Sequence, residues 1–184
     1  FSSFYMPGDF VSHVRMMKTD YEDTGLAQLF GMPFVVLRKP VPFDTTTLNF
    51  NWQVWDTKAF SLYSRSTEKI DKKGADMAIA AVCRFLSRMN VLNYNVYGGY
   101  ESTVLIEEEL VSLRSTASGL YIPHVKSFDS VERGQVLADI IDPLTGVTVA
   151  QTEAPEDGIV FFAKDSPLVM ENETLFKIVN KLHK

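Results

Sequence analysis

GLYIPHVKSFDSVERGQVLADI, residues 119–140, returns at residues 158–178 as GIVFFAKDSPLVMENETLFKI, and the register between the two copies decides how this part of the chain folds. Val131, Gly134, Gln135, Leu137 and Ile140 of the first copy answer Val169, Asn172, Glu173, Leu175 and Ile178 of the second. Gly134 and Asn172 hold the same turn position, and glycine and asparagine are the residues that most readily take a positive φ. Apolar residues alternate after each turn, which is the period of a half-buried strand. The pattern predicts two quasi-equivalent hairpin units that interlock into one small sandwich.

The sequence upstream is of another kind. Residues 24–30 (TGLAQLF) read as a short helix stopped by Gly31 and Pro33, and residues 34–37 (FVVL) as a buried strand ended by Pro40 and Pro42. Residues 48–55 are ambiguous, with a helical turn pinned by Trp52 and Trp55 as one reading, and residues 59–63 (AFSLY) form a second strand. Asp71 caps a long helix with Ala78, Val82, Phe85 and Met89 as its core stripe, while Lys73, Asp76, Arg84 and Arg88 point outward. Strand and helix in alternation indicate an α/β layer. The Gly/Asn/Tyr-rich stretch 93–100 (NYNVYGGY) reads as a linker, so the boundary is placed near Gly99: an α/β domain over 1–99 and an all-β domain over 100–184.

With 184 residues, 46% of them hydrophobic and 12% aromatic, the chain is long enough to bury real cores in one domain or two small ones. A net charge of −5 with the signs interspersed offers no basic stripe for nucleic acid and no polybasic face for a membrane. No apolar run reaches the roughly 18 residues a membrane span needs. The single cysteine, Cys83, excludes an intrachain disulfide, sits off the helix core stripe and is expected to be inert. A soluble cytoplasmic protein is expected, and a homo-oligomer is compatible with everything above. The chain starts at Phe1 in an irregular segment without an initiating methionine, so further residues are expected upstream.

The repeat resembles the biotinyl/lipoyl-like barrel-sandwich fold. Val131-Glu132-Arg133-Gly134-Gln135 stands where such domains carry a V-x-K-G-Q stretch, and Ala154-Pro155-Glu156-Asp157-Gly158 where they carry A-P-x-D-G. In carrier versions the hairpin between the copies presents a lysine for biotin or lipoate. Here that hairpin reads Asp142-Pro143-Leu144-Thr145-Gly146, which excludes a swinging-arm carrier.

An α/β half followed by a barrel-sandwich without the lysine resembles the succinylglutamate desuccinylase/aspartoacylase family, zinc-dependent deacylases related to the metallocarboxypeptidases. Residues 9–16 (DFVSHVRM) look like the family's P-H-V-R segment, and residues 26–36 (LAQLFGMPFVV) like its helix and strand around F-G-x-P. Residues 60–67 (FSLYSRST) look like the strand that presents the catalytic glutamate, and Ile70-Asp71 with the helix to Met89 like the following helical stretch. The resemblance covers nearly the whole chain as the C-terminal half of such a protein. It implies the C-terminal part of a carboxypeptidase-like α/β domain followed by a barrel-sandwich, and a zinc-dependent hydrolase that cleaves an amide bond of an N-acyl amino acid or similar small acylated substrate.

Two departures stand out. The family's zinc site is His-x-x-Glu plus a later histidine, and neither pattern is present. His13, His124 and His183 have no metal spacing among them, whereas a catalytic zinc needs three protein ligands beside its water. No metal ligand is therefore assigned in this chain, and zinc ligands are expected upstream. Second, the resemblance puts Tyr63 where the family's general base stands, and a phenol, titrating near about 10, accepts protons poorly at neutral pH. Glu68 and Asp56 are the nearest carboxylates to take that role, Glu68 being preferred because it follows the strand. Arg15 and Arg65 have the planar fork that grips a carboxylate, although a surface ion pair is the plainer use of each. Two other readings stay open: a degenerate relative acting as a binding protein, and a non-enzymatic barrel-sandwich adaptor.

Overall fold

The computed structural model describes residues 7–66, 69–93, 95 and 97–180. In chain order the first elements are β1 (Gly8–Phe10), β2 (His13–Met17), α1 (Thr24–Gln28), β3 (Phe34–Arg38), α2 (Leu48–Val54), β4 (Ser61–Tyr63), α3 (Lys72–Arg88) and β5 (Thr103–Ile106). There follow β6 (Val111–Arg114), β7 (Gly119–Pro123), β8 (Ser130–Val131), β9 (Val136–Ile141), β10 (Thr148–Glu153), β11 (Gly158–Lys164), β12 (Leu168–Val169) and β13 (Thr174–Asn180). The protein is mixed α/β, with more sheet than helix, and its described residues divide into two compact units. One holds residues 12–65 and 69–109, the other residues 7–11, 66 and 110–180.

The α/β unit is built on one sheet in the order β4-β2-β3-β5, with β2, β3 and β5 parallel and β4 antiparallel to β2. β5 lies beyond Gly99 yet pairs with β3, so the first sheet takes in sequence assigned above to the all-β part. Asp23 caps α1 by accepting from the Leu26 N–H, and Gly31, at φ 62°, ends that helical segment in the left-handed region. Residues 48–54 do form a helix, capped by the Thr47 hydroxyl.

The buried line of α3 differs from the predicted stripe. Gly74, Ala78, Ala81 and Arg84 are buried, whereas Met89 is exposed and Val82 and Phe85 are half-buried. Small residues let the helix approach closely, and Phe85 stacks on Phe30 at 4.3 Å. Arg84, expected outside, turns inward to donate to the Phe30 and Gly31 carbonyls, while Arg88 donates to the Leu29 carbonyl at 2.9 Å. A helix end leaves carbonyls without intrahelical donors, and the two guanidinium groups supply them. Burial holds the Arg84 guanidinium below its ordinary pKa range. Asp71 occupies the N-cap position of α3, but its side chain makes no cap bond and pairs instead with Arg65.

In the other unit the internal repeat becomes a pseudo-twofold arrangement. β7 pairs with β9 and β11 with β13, each copy thus forming its own antiparallel pair. The short strand of each copy then crosses to the other: Val131 pairs with Gly158, and Val169 with Gly119. The turns match bond for bond. The Gly134 N–H donates to the Ala154 carbonyl and the Ala154 N–H to the Gln135 carbonyl; the Asn172 N–H donates to the Ser115 carbonyl and the Ser115 N–H to the Glu173 carbonyl. Gln135 and Glu173 each accept, through a side-chain oxygen, the backbone N–H three residues earlier, at 3.0 Å in both copies.

Gly134 and Asn172 have φ of 80° and 67°, as their positions in the repeat predict. Val131, Leu137 and Ile140, with Val169, Leu175 and Ile178, form the centre of one core, each at most 2% exposed. Gly119 and Gly158 are fixed by close approach: a Cβ on either would lie 2.5–2.6 Å from a carbonyl oxygen of the neighbouring strand. The tip at residues 142–146 is a turn closed by the Asp142 carboxylate, which accepts from Leu144 and Thr145. The two sheets of this unit run β1-β11-β13-β6, with β8 also on β11, and β10-β9-β7-β12; neither closes on itself among the described residues.

Space around Gly134 is open, so replacing it tests φ alone. Gly134→Val should lower stability by about 1–2 kcal/mol and Asn172→Gly by less than about 0.5 kcal/mol, because only the β-branched side chain resists the left-handed region. Urea unfolding monitored by circular dichroism checks both.

Candidate functional site

Two of the predicted site residues come together, Arg15 on β2 and Tyr63 on β4. Alternation along β2 turns Val14 and Met16 into the apolar core with Val35 and Leu37, and puts His13, Arg15 and Met17 on the opposite face. All five residues of β2 are buried. Its far end is held by Gln53 of α2, fully buried, whose amide accepts from the Met17 N–H at 2.8 Å and donates to the Met17 carbonyl at 2.9 Å.

Tyr63 of β4 is the ladder partner of His13, and their rings stack at 4.9 Å with an angle of 8°. The Arg15 guanidinium carbon lies 5.5 Å from the centre of the Tyr63 ring, within the range of a cation–π contact. Its side chain is only 6% exposed, and the guanidinium donates to the Glu107 carboxylate, just past β5. Arg15, Tyr63, His13 and Glu107 therefore form one cluster across two strands and the turn after β5.

The other predicted residues lie apart from this cluster. Asp56 sits on an exposed turn after α2, at φ 57°, with the Lys58 ammonium 4.0 Å away. Arg65 is half-exposed and pairs with Asp71 at 3.2 Å. Glu68 and His183 lie outside the described residues. His124 bonds Asp139 at 2.8 Å on an exposed face; hydrogen bonds from Gln151 and then His124 hold the Asp139 carboxyl below its ordinary pKa range.

The cluster can bind and polarise. A guanidinium stays protonated throughout the accessible pH range, so a buried Arg15 is a fixed positive charge suited to a carboxylate or a developing oxyanion. Tyr63 brings a phenol that can donate a hydrogen bond. Among the described residues no group of three His, Cys, Asp or Glu side chains is gathered to hold a metal. Glu107 escaped the sequence reading because its partner is 92 positions away and it opens the run Glu107-Glu108-Glu109, which looks like a solvated acidic turn. No local spacing carries that signal.

No protein-family model and no curated protein matches the chain. Solved structures do. The product-bound ectoine utilization protein EutE (DoeB) from Ruegeria pomeroyi superposes with a TM-score of 0.74 at 13% identity, over 94% of this chain and 56% of that one. The succinylglutamate desuccinylase/aspartoacylase from Rhodobacter sphaeroides gives 0.74 at 14% identity, over 97% and 56%. A succinylglutamate desuccinylase/aspartoacylase protein from Shewanella frigidimarina gives 0.72 at 18%, over 96% and 52%. The fold is thus the one seen in solved proteins of the succinylglutamate desuccinylase/aspartoacylase family, and this chain spans little more than half of their length.

Removing the carboxylate takes a charged partner from the nearly buried Arg15. Glu107→Gln should lower stability by about 2 kcal/mol or more, whereas Arg65→Met, at a half-exposed pair, should change it by less than about 1 kcal/mol. Urea unfolding midpoints at constant slope separate the two.

Proposed function

We propose that this chain is part of a zinc-dependent deacylase that hydrolyses the amide bond of an N-acyl amino acid or a similar small acylated substrate. The observation that carries the reading is a fold shared over 94–97% of the chain with the R. pomeroyi and R. sphaeroides proteins. In this reading the α/β unit is the C-terminal part of a carboxypeptidase-like domain, and the interlocked repeat is a barrel-sandwich of biotinyl/lipoyl-like kind that has lost the acyl-accepting lysine. The protein acts in the cytoplasm on a small-molecule substrate, and none of the described helices is long and apolar enough to cross a membrane.

The described residues do not fit a zinc ion. His13 is stacked on Tyr63, and no set of three ligating side chains is brought together. In this reading the zinc ligands are supplied by protein outside the described residues, and what these residues contribute is binding and charge. Arg15 receives the substrate carboxylate or the oxyanion. Tyr63, packed against it, donates its phenol proton into the same charge. Arg65 is a further cation for substrate. Glu68 is the preferred general base and Asp56 the alternative, since Glu68 follows the strand that carries Tyr63 whereas Asp56 precedes it. A second reading, a binding protein that has lost catalysis, is favoured by Tyr63 standing where the resemblance puts the glutamate base.

The decisive experiment uses the protein that includes the upstream ligands, assayed on a panel of N-acyl amino acids with its zinc content measured. Glu68→Gln should lower kcat by about 100- to 10,000-fold with zinc retained, and Asp56→Asn should leave kcat near the parent value. Activity that survives Glu68→Gln but disappears with Asp56→Asn moves the role to Asp56. Full zinc loading with no hydrolysis of any N-acyl amino acid favours the binding protein. Stoichiometric zinc held by the 184-residue chain alone after dialysis would refute the upstream placement of the ligands.

A further inference from the structure

A cavity of about 340 Å³ opens in the all-β unit, lined by Pro7, Arg114, Phe162, Lys164, Glu173 and Thr174. It lies at the lower end of the size range of small-molecule pockets. Lys164 is 6% exposed, and its ammonium makes one protein hydrogen bond among the described residues, to Glu173 at 2.5 Å. An ammonium has three donors, so two remain without a protein acceptor at a nearly buried site. Arg114 uses one nitrogen to donate to the Asn172 carbonyl at 2.8 Å and keeps the rest of its fork.

The internal repeat supplies the control. At the position of Glu173 the first copy has Gln135, which makes the same back-bond as a neutral amide. The turn needs only an acceptor oxygen there. A carboxylate at 173 and a nearly buried lysine beside it are additions the fold does not require, and burying the lysine carries a desolvation penalty that its attraction to a partly exposed acid need not offset. The hydrogen bond from Lys164 holds the Glu173 carboxyl below its ordinary range, so the carboxylate is engaged on both oxygens and the cavity is left with an excess of cationic donors.

We propose that this cavity is a binding site for a small organic carboxylate, whose oxygens bridge the Lys164 ammonium and the Arg114 guanidinium while its apolar end lies against Phe162 and Pro7. The site stands in the all-β unit and does not depend on the deacylase reading. It excludes cations by charge, and its apolar wall selects a carboxylate over a fully hydrated phosphate.

The test is a set of amide nitrogen–proton correlation spectra of the 184-residue chain, titrated at constant ionic strength with sodium propionate, sodium phosphate and ethylammonium chloride. Propionate should give saturable shifts at Lys164, Asn172, Glu173 and Thr174. Lys164→Met should weaken that binding about tenfold or more, while Lys126→Met, at an exposed lysine of the same unit, leaves it within about twofold. Glu173→Gln keeps the turn bond, as Gln135 does, and removes the competing carboxylate, so it should tighten propionate binding about threefold or more. Should Lys164→Met fail to fold, Glu173→Gln and the exposed Arg114→Met decide the matter, in opposite directions. Non-saturating shifts with propionate, saturation by phosphate or ethylammonium alone, or weaker binding in Glu173→Gln would overturn the proposal.

Discussion

The exchange of short strands between the two copies of the repeat is the constraint on which the all-β unit rests. A single hairpin cannot bury both sides of its own turn, so Val131 is covered by the second copy and Val169 by the first. Within each copy the backbones pass closely at Gly119 and Gly158, where any side chain would strike a carbonyl of the paired strand. The reciprocity demands a left-handed residue at each turn, and the chain meets this once with glycine and once with asparagine. Apolar burial then does the rest: six matched residues at most 2% exposed sit at the centre of the core.

The α/β unit depends on a different feature, a strand buried on both faces with unlike environments. One face of β2 is ordinary core. The other carries a cation set against an aromatic ring and paired with a carboxylate, both distant in sequence, because a charge removed from water must be paired. Burying Arg15 gives no obvious advantage in stability over an apolar residue of similar size, which is a reason to look for its use in binding. Arg84, by contrast, has a structural use, since it satisfies carbonyls beyond the end of α1.

Among the described residues two nearly buried cations share one arrangement: Arg15 with Glu107 and Lys164 with Glu173 each join such a cation to a more exposed acid. In both the acid lies beside a turn at the end of a strand, where solvent reaches it. Arg38 with Asp44 inverts this order, the acid being fully buried and bonded to the Val41 N–H. That pair closes the turn after β3 and has no comparable opening.

What the sequence determined by itself was what depends on local order: the repeat, its turn residues at Gly134 and Asn172, the tip at 142–146, strands within 34–37 and 59–63, and the helix beginning after Asp71. Each is legible because a φ requirement or a period of two or 3.6 leaves its mark within a few residues. The orientation of α3 was legible only at Ala78, since Ala81 looks no more buried than Val82 until a sheet is placed against it, and a long Arg84 side chain can serve either face. The reach of the first sheet past Gly99 was not legible, because parallel pairing of β5 with β3 joins segments some seventy residues apart, as the Ser102–Met32 bond also does. Arg15 and Tyr63 could be named from the chain, but their contact, and the entry of Glu107 between the strands' ends, exist only once β2, β4 and β5 share a sheet. Charge pairing over 92 residues has no sequence period, so tertiary structure alone could decide it.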